Sequence, residues 1–125
     1  MSDSPLSQTP LLDEAQITML QETAPDDAAE LFAELKDLFE EEGEPLLDRL
    51  ELAIQQQDAT GIERSAHALA GSSSNIGYLK LSKLVRELEH SDLSRPVEVL
   101  QTELDELKRV YSESSQAMQA LIDSL

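Results

Sequence analysis

The sequence of 125 residues contains no cysteine and no tryptophan, and only four of its residues are aromatic. The absence of cysteine excludes disulfide bonds and thiol chemistry. No apolar run reaches the roughly eighteen residues that a membrane-spanning helix needs, and the N-terminus has no basic-then-apolar signal segment. These absences favour a cytoplasmic protein whose core is filled by aliphatic side chains.

Basic residues are also scarce: nine Lys and Arg stand against 26 Asp and Glu, for a formal net charge of −17. Nucleic acids and anionic membranes are therefore disfavoured partners, because both are bound through clustered Lys and Arg. The charge is uneven, since residues 1–60 hold 16 acids and 2 bases whereas residues 61–95 hold 4 acids and 5 bases. The less acidic segment favours an anionic group or an acidic partner, although the acidic half also fits solvated faces selected for solubility.

The apolar residues recur at helical spacing, and no strand-like alternation is present. We predict a flexible lead-in over residues 1–12 and one domain over residues 13–125. Its predicted helices cover Asp13–Thr23, Ala28–Gln57, a segment around His67, Leu79–His90 and Pro96–Leu125. Long amphipathic helices with short connections predict an all-α fold, an antiparallel four-helix bundle with a short extra N-terminal helix.

Two of these helices carry a further structural question. Pro45 cannot donate a hydrogen bond to the carbonyl of Glu41, which predicts a kink or a break in the second helix. The last helix has an apolar stripe from Val97 to Leu125 whose spacing alternates between three and four residues. That stripe fits a bundle core, which the first three helices need, and it also fits a coiled-coil seam for dimerisation.

His67 lies in the helical run Arg64–Gly77, on a face of small and polar residues. Residues three, four and seven positions away share a helix face; for His67 these are Thr60, Glu63, Arg64, Ala70, Gly71 and Ser74. The opposite face holds Ile62, Ala66, Leu69, Ser73 and Ile76. The pattern predicts an imidazole directed to solvent in a cleared patch that another macromolecule can reach.

The same run resembles the histidine-containing phosphotransfer (Hpt) domains of bacterial and eukaryotic phosphorelays. Their pattern is histidine, two residues, lysine, glycine, any residue, serine, three residues and a second glycine. Here His67, Gly71, Ser73 and Gly77 match it, and Ala70 occupies the lysine position. The flanking matches are Ala66, Leu69 and the pair Leu88-Glu89, so that the resemblance covers roughly residues 30 to 93.

The resemblance implies a helical bundle with His67 as the phosphoacceptor. His67 would exchange a phosphoryl group with the aspartate of a response-regulator receiver domain, or accept one from a histidine kinase. Neutral imidazole suits this role, because its unperturbed pKa is about 6.5. The chain would need no cofactor of its own, since Mg²⁺ is expected on the receiver domain. The expected protein is a monomeric phosphocarrier rather than an autonomous enzyme.

Roles for the neighbouring residues follow from the same resemblance. Glu89 stands at the offset where some Hpt domains have a glutamate or glutamine that hydrogen-bonds the histidine, so it is the predicted imidazole orienter. Arg64 is the predicted substitute for the missing lysine, with Lys80 and Lys83 as further candidates. The predicted partner-binding surface consists of Glu63, Arg64, Ala70, Gly71, Ser74 and Lys80.

Gly71 stands mid-helix, where glycine costs about 1 kcal/mol relative to alanine. It either leaves a notch beside the imidazole or lets another helix pack closely. Glu87 and His90 form the one Glu-x-x-His element, whereas di-iron bundles need two, so no metal site is predicted. The absent lysine leaves one alternative function open, a docking module that binds a receiver domain or kinase without being phosphorylated.

Overall fold

A computed structural model describes residues 5–125, with a single 3-10 turn at Pro5–Gln8 and five α-helices. The helices are α1 (Glu14–Thr23), α2 (Ala28–Gln55), α3 (Ala59–Ile76), α4 (Leu79–Glu89) and α5 (Val97–Ser124). Over these residues the only β-type pairing is one isolated bridge between Leu12 and Tyr78. Within the same range, no helix has the length and hydropathy needed to cross a membrane.

Helices α2 to α5 form the bundle, and each packs against two others. Helix α3 lies between α2 and α4, while α5 contacts α2 and α4 from the other side. Helix α1 contacts α2 and α3 and is the short extra helix. The predicted all-α four-helix bundle is therefore confirmed. Its core is aliphatic around few aromatic rings; the largest fully buried side chains include Phe32, Leu50, Ile54, Ile62, Leu69, Leu81, Leu104 and Met118.

Helix α2 continues through Pro45, so of the two predicted alternatives the break does not occur, and the kink stays a prediction. Pro45 is exposed, and burial of α2 residues on both sides of it, Phe39 and Leu50 among them, holds the two halves in one helix. Nearby Gly43 is buried against α5, where a Cβ would lie 3.0 Å from the hydroxyl of Tyr111. Tertiary packing thus outweighs the local helix-breaking tendency of proline.

The apolar stripe of α5 belongs to the core. Its buried members are Leu100, Leu104, Leu107, Val110, Ser114 and Met118. Because α2 and α4 cover this stripe, it is not available as a coiled-coil seam along its length. The core interpretation of the last helix is confirmed.

The predicted lead-in over residues 1–12 falls partly on residues 1–4, which lie outside the described residues. The remainder contacts the bundle, since Leu6 is buried and the 3-10 turn packs on α4. The backbone N–H of Asp13 also donates to the carbonyl of Gly77 at 2.8 Å. Packing therefore begins before residue 13, the predicted boundary of the domain.

A tight turn at Gly77 joins α3 to α4 and sets their relative position. Gly77 has a φ of +87°, the left-handed conformation that glycine adopts without steric cost. The N–H of Gly77 donates to the carbonyl of Ser74, and the N–H of Tyr78 donates to that of Ser73. Because Tyr78 is also fully buried, the two helices form a fixed antiparallel hairpin.

Candidate functional site

His67 lies midway along α3 with its side chain 78% exposed. The predicted opposite face is buried, since Ile62, Ala66 and Leu69 have no exposed surface. Ser73, on that face, is also buried and donates its hydroxyl to the carbonyl of Leu69 at 2.7 Å. The helix thus presents its one histidine to solvent, as its sequence pattern predicts.

Glu89, near the end of α4, is the hydrogen-bond partner of His67. The Nδ1 atom of His67 lies 2.9 Å from Oε2 of Glu89. The Glu89 side chain is only 9% exposed, whereas the imidazole is 78% exposed, so the packed carboxylate anchors one side of a ring that otherwise faces water. The contact joins residues on two helices because the hairpin at Gly77 folds α4 back along α3.

This hydrogen bond determines which ring nitrogen can react. An ionised carboxylate only accepts, so Nδ1 of His67 must carry the proton and donate it to Glu89. The Nε2 atom then holds the lone pair, and the hydrogen bond from Nδ1–H to the carboxylate fixes the tautomer and the orientation of the ring. The geometry presents an oriented, exposed nitrogen nucleophile.

The second histidine of the chain lies on the other side of the same carboxylate. Nε2 of His90 is 3.8 Å from Oε1 of Glu89, and the His90 side chain is 75% exposed. His90 is the C-terminal cap residue of α4. Glu89 therefore lies between two exposed imidazoles, and it hydrogen-bonds the one on α3.

Gly71 leaves open space one turn beyond His67. A Cβ at this position would meet no atom within 4 Å, apart from its own chain neighbours and helix backbone. Close packing against another helix therefore does not explain this glycine. The notch beside the imidazole is present, and its use by a partner stays a prediction.

Ala70 was predicted as part of the exposed partner-binding surface, and this is wrong. Ala70 is only 2% exposed. At about 100° per residue it lies some 60° around α3 from His67, on the edge that faces α4. There the hydroxyl of Ser82 donates to the backbone carbonyl of Ala70 at 3.4 Å. Packing of α4 on this edge covers the residue.

The other predicted surface residues lie at different distances from His67. Glu63 and Ser74 are exposed on α3, one turn and two turns from the imidazole. Lys80 is partly exposed in the first turn of α4, at the other end of that helix from Glu89. Lys80 therefore lies about 13 Å along α4 from the histidine contact.

Arg64 lies on the α2 side of His67, away from Glu89. It lines a groove between α2 and α3 together with Arg49, Leu52 and Ala68. Its side chain forms no hydrogen bond or ion pair with the residues that the structure describes. Its role as the compensating cation stays a prediction.

Arg86 is a residue of this site that the sequence analysis did not single out. It lies on α4 one turn before Glu89, and its Nε donates to the hydroxyl of Ser82 at 3.4 Å. The same hydroxyl donates to the carbonyl of Ala70. The antiparallel register could have indicated Arg86 from the sequence, because a contact between residues 67 and 89 places residue 70 opposite residue 86.

The chain is similar to known proteins in both sequence and structure. A sequence model of the family described as "Hpt domain" matches residues 34–117. The sensor protein TorS of Escherichia coli strain K12 is 40% identical over 60 residues, 48% of this chain. Those residues amount to 7% of the length of TorS. The crystal structure of histidine-containing phosphotransfer protein B (HptB) from Pseudomonas aeruginosa PAO1 matches with a TM-score of 0.75 and 27% identity, covering 94% of this chain and 99% of that one.

Proposed function

The chain belongs to the Hpt domain family, and from this premise we propose that it is a histidine phosphotransfer protein that carries phosphoryl groups on His67. The observation that supports the role of His67 is its hydrogen bond to Glu89 at 2.9 Å on an otherwise exposed imidazole. That bond assigns the proton to Nδ1 and leaves Nε2 free toward solvent. The likeness to HptB over 94% of the chain supports the same function.

The proposed reaction is reversible transfer between aspartate and histidine. The Nε2 lone pair of His67 attacks the phosphorus of an aspartyl phosphate, the N–P bond forms, and the P–O bond to the aspartate breaks. The electron pair of that bond leaves with the receiver's carboxylate. The proton stays on Nδ1, where the negative Glu89 stabilises the positive charge that the phosphorylated ring gains. The chain needs no cofactor for this step, because the Mg²⁺ belongs to the receiver domain.

The proposed partner is a response-regulator receiver domain or a histidine kinase, docked over the exposed side of α3. A receiver domain brings an acidic pocket, and positive side chains on both sides of His67 complement it: Arg49 and Arg64 on the α2 side and Arg86 on the α4 side. Leu52, which is 53% exposed in the same α2–α3 groove, adds an apolar contact. The proposal includes a monomer in the cytoplasm, where the kinases of such relays find ATP.

The test is phosphoryl transfer to purified wild-type protein and to His67→Gln. The donors are a panel of receiver domains and histidine kinases that carry radiolabelled phosphate. Acid-labile, base-stable label on the wild type and none on His67→Gln is expected. Equal labelling of the two proteins would assign the phosphate to another residue.

The buried Ala70 at the family's lysine position favours one second candidate, a docking module that is not phosphorylated. In that case neither protein acquires label from any donor, yet the wild type binds a receiver domain in calorimetry. Labelling of the wild type alone excludes this alternative.

A further inference from the structure

We propose that Arg86 supplies the positive charge at the phosphoryl group that the lysine of other Hpt domains supplies from position 70. This inference deepens the proposed phosphotransfer function and rests on it. The positive charge would then come from α4, whereas the family pattern places it on α3. Arg64 would not take this role.

The register of the hairpin places Arg86 opposite Ala70. Helices α3 and α4 run antiparallel, and His67 contacts Glu89 across their interface. Three residues further along α3 is Ala70, and three residues back along α4 is Arg86. The hydroxyl of Ser82 contacts both, at 3.4 Å from the Ala70 carbonyl and 3.4 Å from Nε of Arg86.

Position 70 lies on the side of His67 that faces α4. A lysine there would approach the phosphoryl group from this side, next to Glu89. Arg64 stands on the other side, about 60° around α3 in the opposite direction, in the groove against α2. An arginine anchored on α4 can therefore occupy the volume that a lysine would fill, because Ala70 has only a methyl group.

The guanidinium group of Arg86 is available for an anion. Arg86 is exposed, and its single side-chain hydrogen bond to the described residues uses Nε. Among the residues that the structure describes, neither of its terminal nitrogens has a carboxylate partner. Two N–H groups from one planar guanidinium suit two oxygens of a phosphoryl group. The positive guanidinium group at those oxygens would also offset the negative charge of the nearby Glu89.

The experiment compares Arg86→Gln with Arg109→Gln, which makes the same substitution on α5. Arg109 is exposed, and in the described residues α5 packs against α2 and α4 but not against α3. The initial rate of phosphoryl acceptance from a labelled receiver domain should fall about tenfold in Arg86→Gln, the loss expected for one charge-assisted hydrogen bond. Arg109→Gln should stay within about twofold of wild type, as an exposed charge remote from the reacting atoms does.

A rescue variant separates phosphoryl binding from a structural role of Arg86. Adding Ala70→Lys to Arg86→Gln should restore the rate to within about threefold of wild type, because lysine at 70 returns the charge from the other helix. In wild type, the Nε–H resonance of Arg86 in NMR spectra should shift on phosphorylation of His67, whereas the resonance of Arg64 should not.

The outcomes distinguish this inference from the proposed function. Absence of label on the wild type would contradict phosphotransfer itself. Normal labelling of the wild type with equal rates for Arg86→Gln and Arg109→Gln would overturn the role of Arg86 alone. A slow Arg64→Gln beside an unchanged Arg86→Gln would assign the role to Arg64.

Discussion

The reactivity of His67 depends on the carboxylate of Glu89. It is nearly buried, it accepts from Nδ1 at 2.9 Å, and it comes from a different helix. An exposed histidine without such a partner populates both tautomers and rotates freely. The hydrogen bond therefore converts an ordinary surface histidine into an oriented nucleophile.

Removal of this carboxylate should slow phosphorylation without unfolding the bundle. In Glu89→Ala the initial rate of acceptance is expected to fall about tenfold, since the charge-assisted hydrogen bond to the ring is lost. Glu89→Gln should retain part of the rate, because its amide oxygen still accepts from Nδ1–H. Nitrogen NMR shifts of the imidazole should show mixed tautomers in the alanine variant.

Glu87→Ala is the matched control, since it removes an exposed acid two residues away on the same helix. Its rate should equal that of wild type. Equal rates for Glu89→Ala and Glu87→Ala would contradict the orienting role of Glu89.

At the scale of the helix, two mid-helix glycines have opposite surroundings. Gly43 of α2 is packed against the ring of Tyr111, whereas a Cβ on Gly71 of α3 would meet only open space. Packing therefore requires glycine at position 43 but not at position 71, and substitution of each by alanine tests this difference. Tyr111 itself is confined, because its ring contacts Phe39 with centroids 5.3 Å apart.

Alanine at these two positions should change the stability in opposite directions. Gly71→Ala should raise the free energy of unfolding by up to about 1 kcal/mol, the gain in helix propensity. Gly43→Ala should lower it by about 1 kcal/mol, because the cost of overpacking against Tyr111 exceeds that gain. Urea denaturation of both variants measures the difference. A stabilised Gly43→Ala would show that Tyr111 moves aside freely.

Gly71→Ala also tests the notch beside His67. If a partner needs this space, the more stable variant should accept phosphoryl groups more slowly than wild type. An unchanged rate would mean that approach to the imidazole does not pass over Gly71.

At the scale of the whole molecule, carboxylates of α2 form hydrogen bonds with α5. Glu51 accepts from Nζ of Lys108 at 2.9 Å, and this hydrogen bond lowers its pKa. Glu40 accepts from the hydroxyl of Ser115 at 2.8 Å. Burial raises the pKa of Glu40, but the hydrogen bonds from Lys36 and Ser115 and the charge of Lys36 lower it below its usual value.

These lowered pKa values predict a loss of stability in acid. A carboxyl group whose pKa is lower in the folded state stabilises the fold above its unfolded pKa of 4.5, and that stabilisation disappears as the pH falls through the folded value. The double variant Glu40→Gln/Glu51→Gln should therefore be less stable than wild type at neutral pH. The difference in free energy of unfolding should shrink toward zero as the pH falls through the lowered pKa values of these two carboxyl groups.

Unfolding curves of the two proteins across this pH range provide the measurement. Substitution of the exposed pair Glu41 and Glu44 to Gln serves as the control, because it removes the same charge from α2 outside these contacts. A constant difference between wild type and Glu40→Gln/Glu51→Gln at every pH would contradict the ionic origin of the effect.

The sequence by itself determined the helices, the bundle and the exposure of His67. Apolar periodicity is a local property, and a residue's place on a helix face follows from its neighbours within two turns. The family pattern added Glu89 through a fixed spacing from the histidine. Each of these inferences requires only residues close in sequence or a spacing already known.

Only the tertiary structure decided the continuity of α2, the burial of Ala70 and the position of Arg86. Contacts on both sides of Pro45 overcome a local helix-breaking signal, and α4 covers an edge of α3 that the helix pattern alone leaves exposed. Arg86 and Ala70 both contact the hydroxyl of Ser82 only because of the register of two antiparallel helices, which the turn at Gly77 and the burial of Tyr78 set. Interactions between distant segments decided these features, and for that reason local patterns could not predict them.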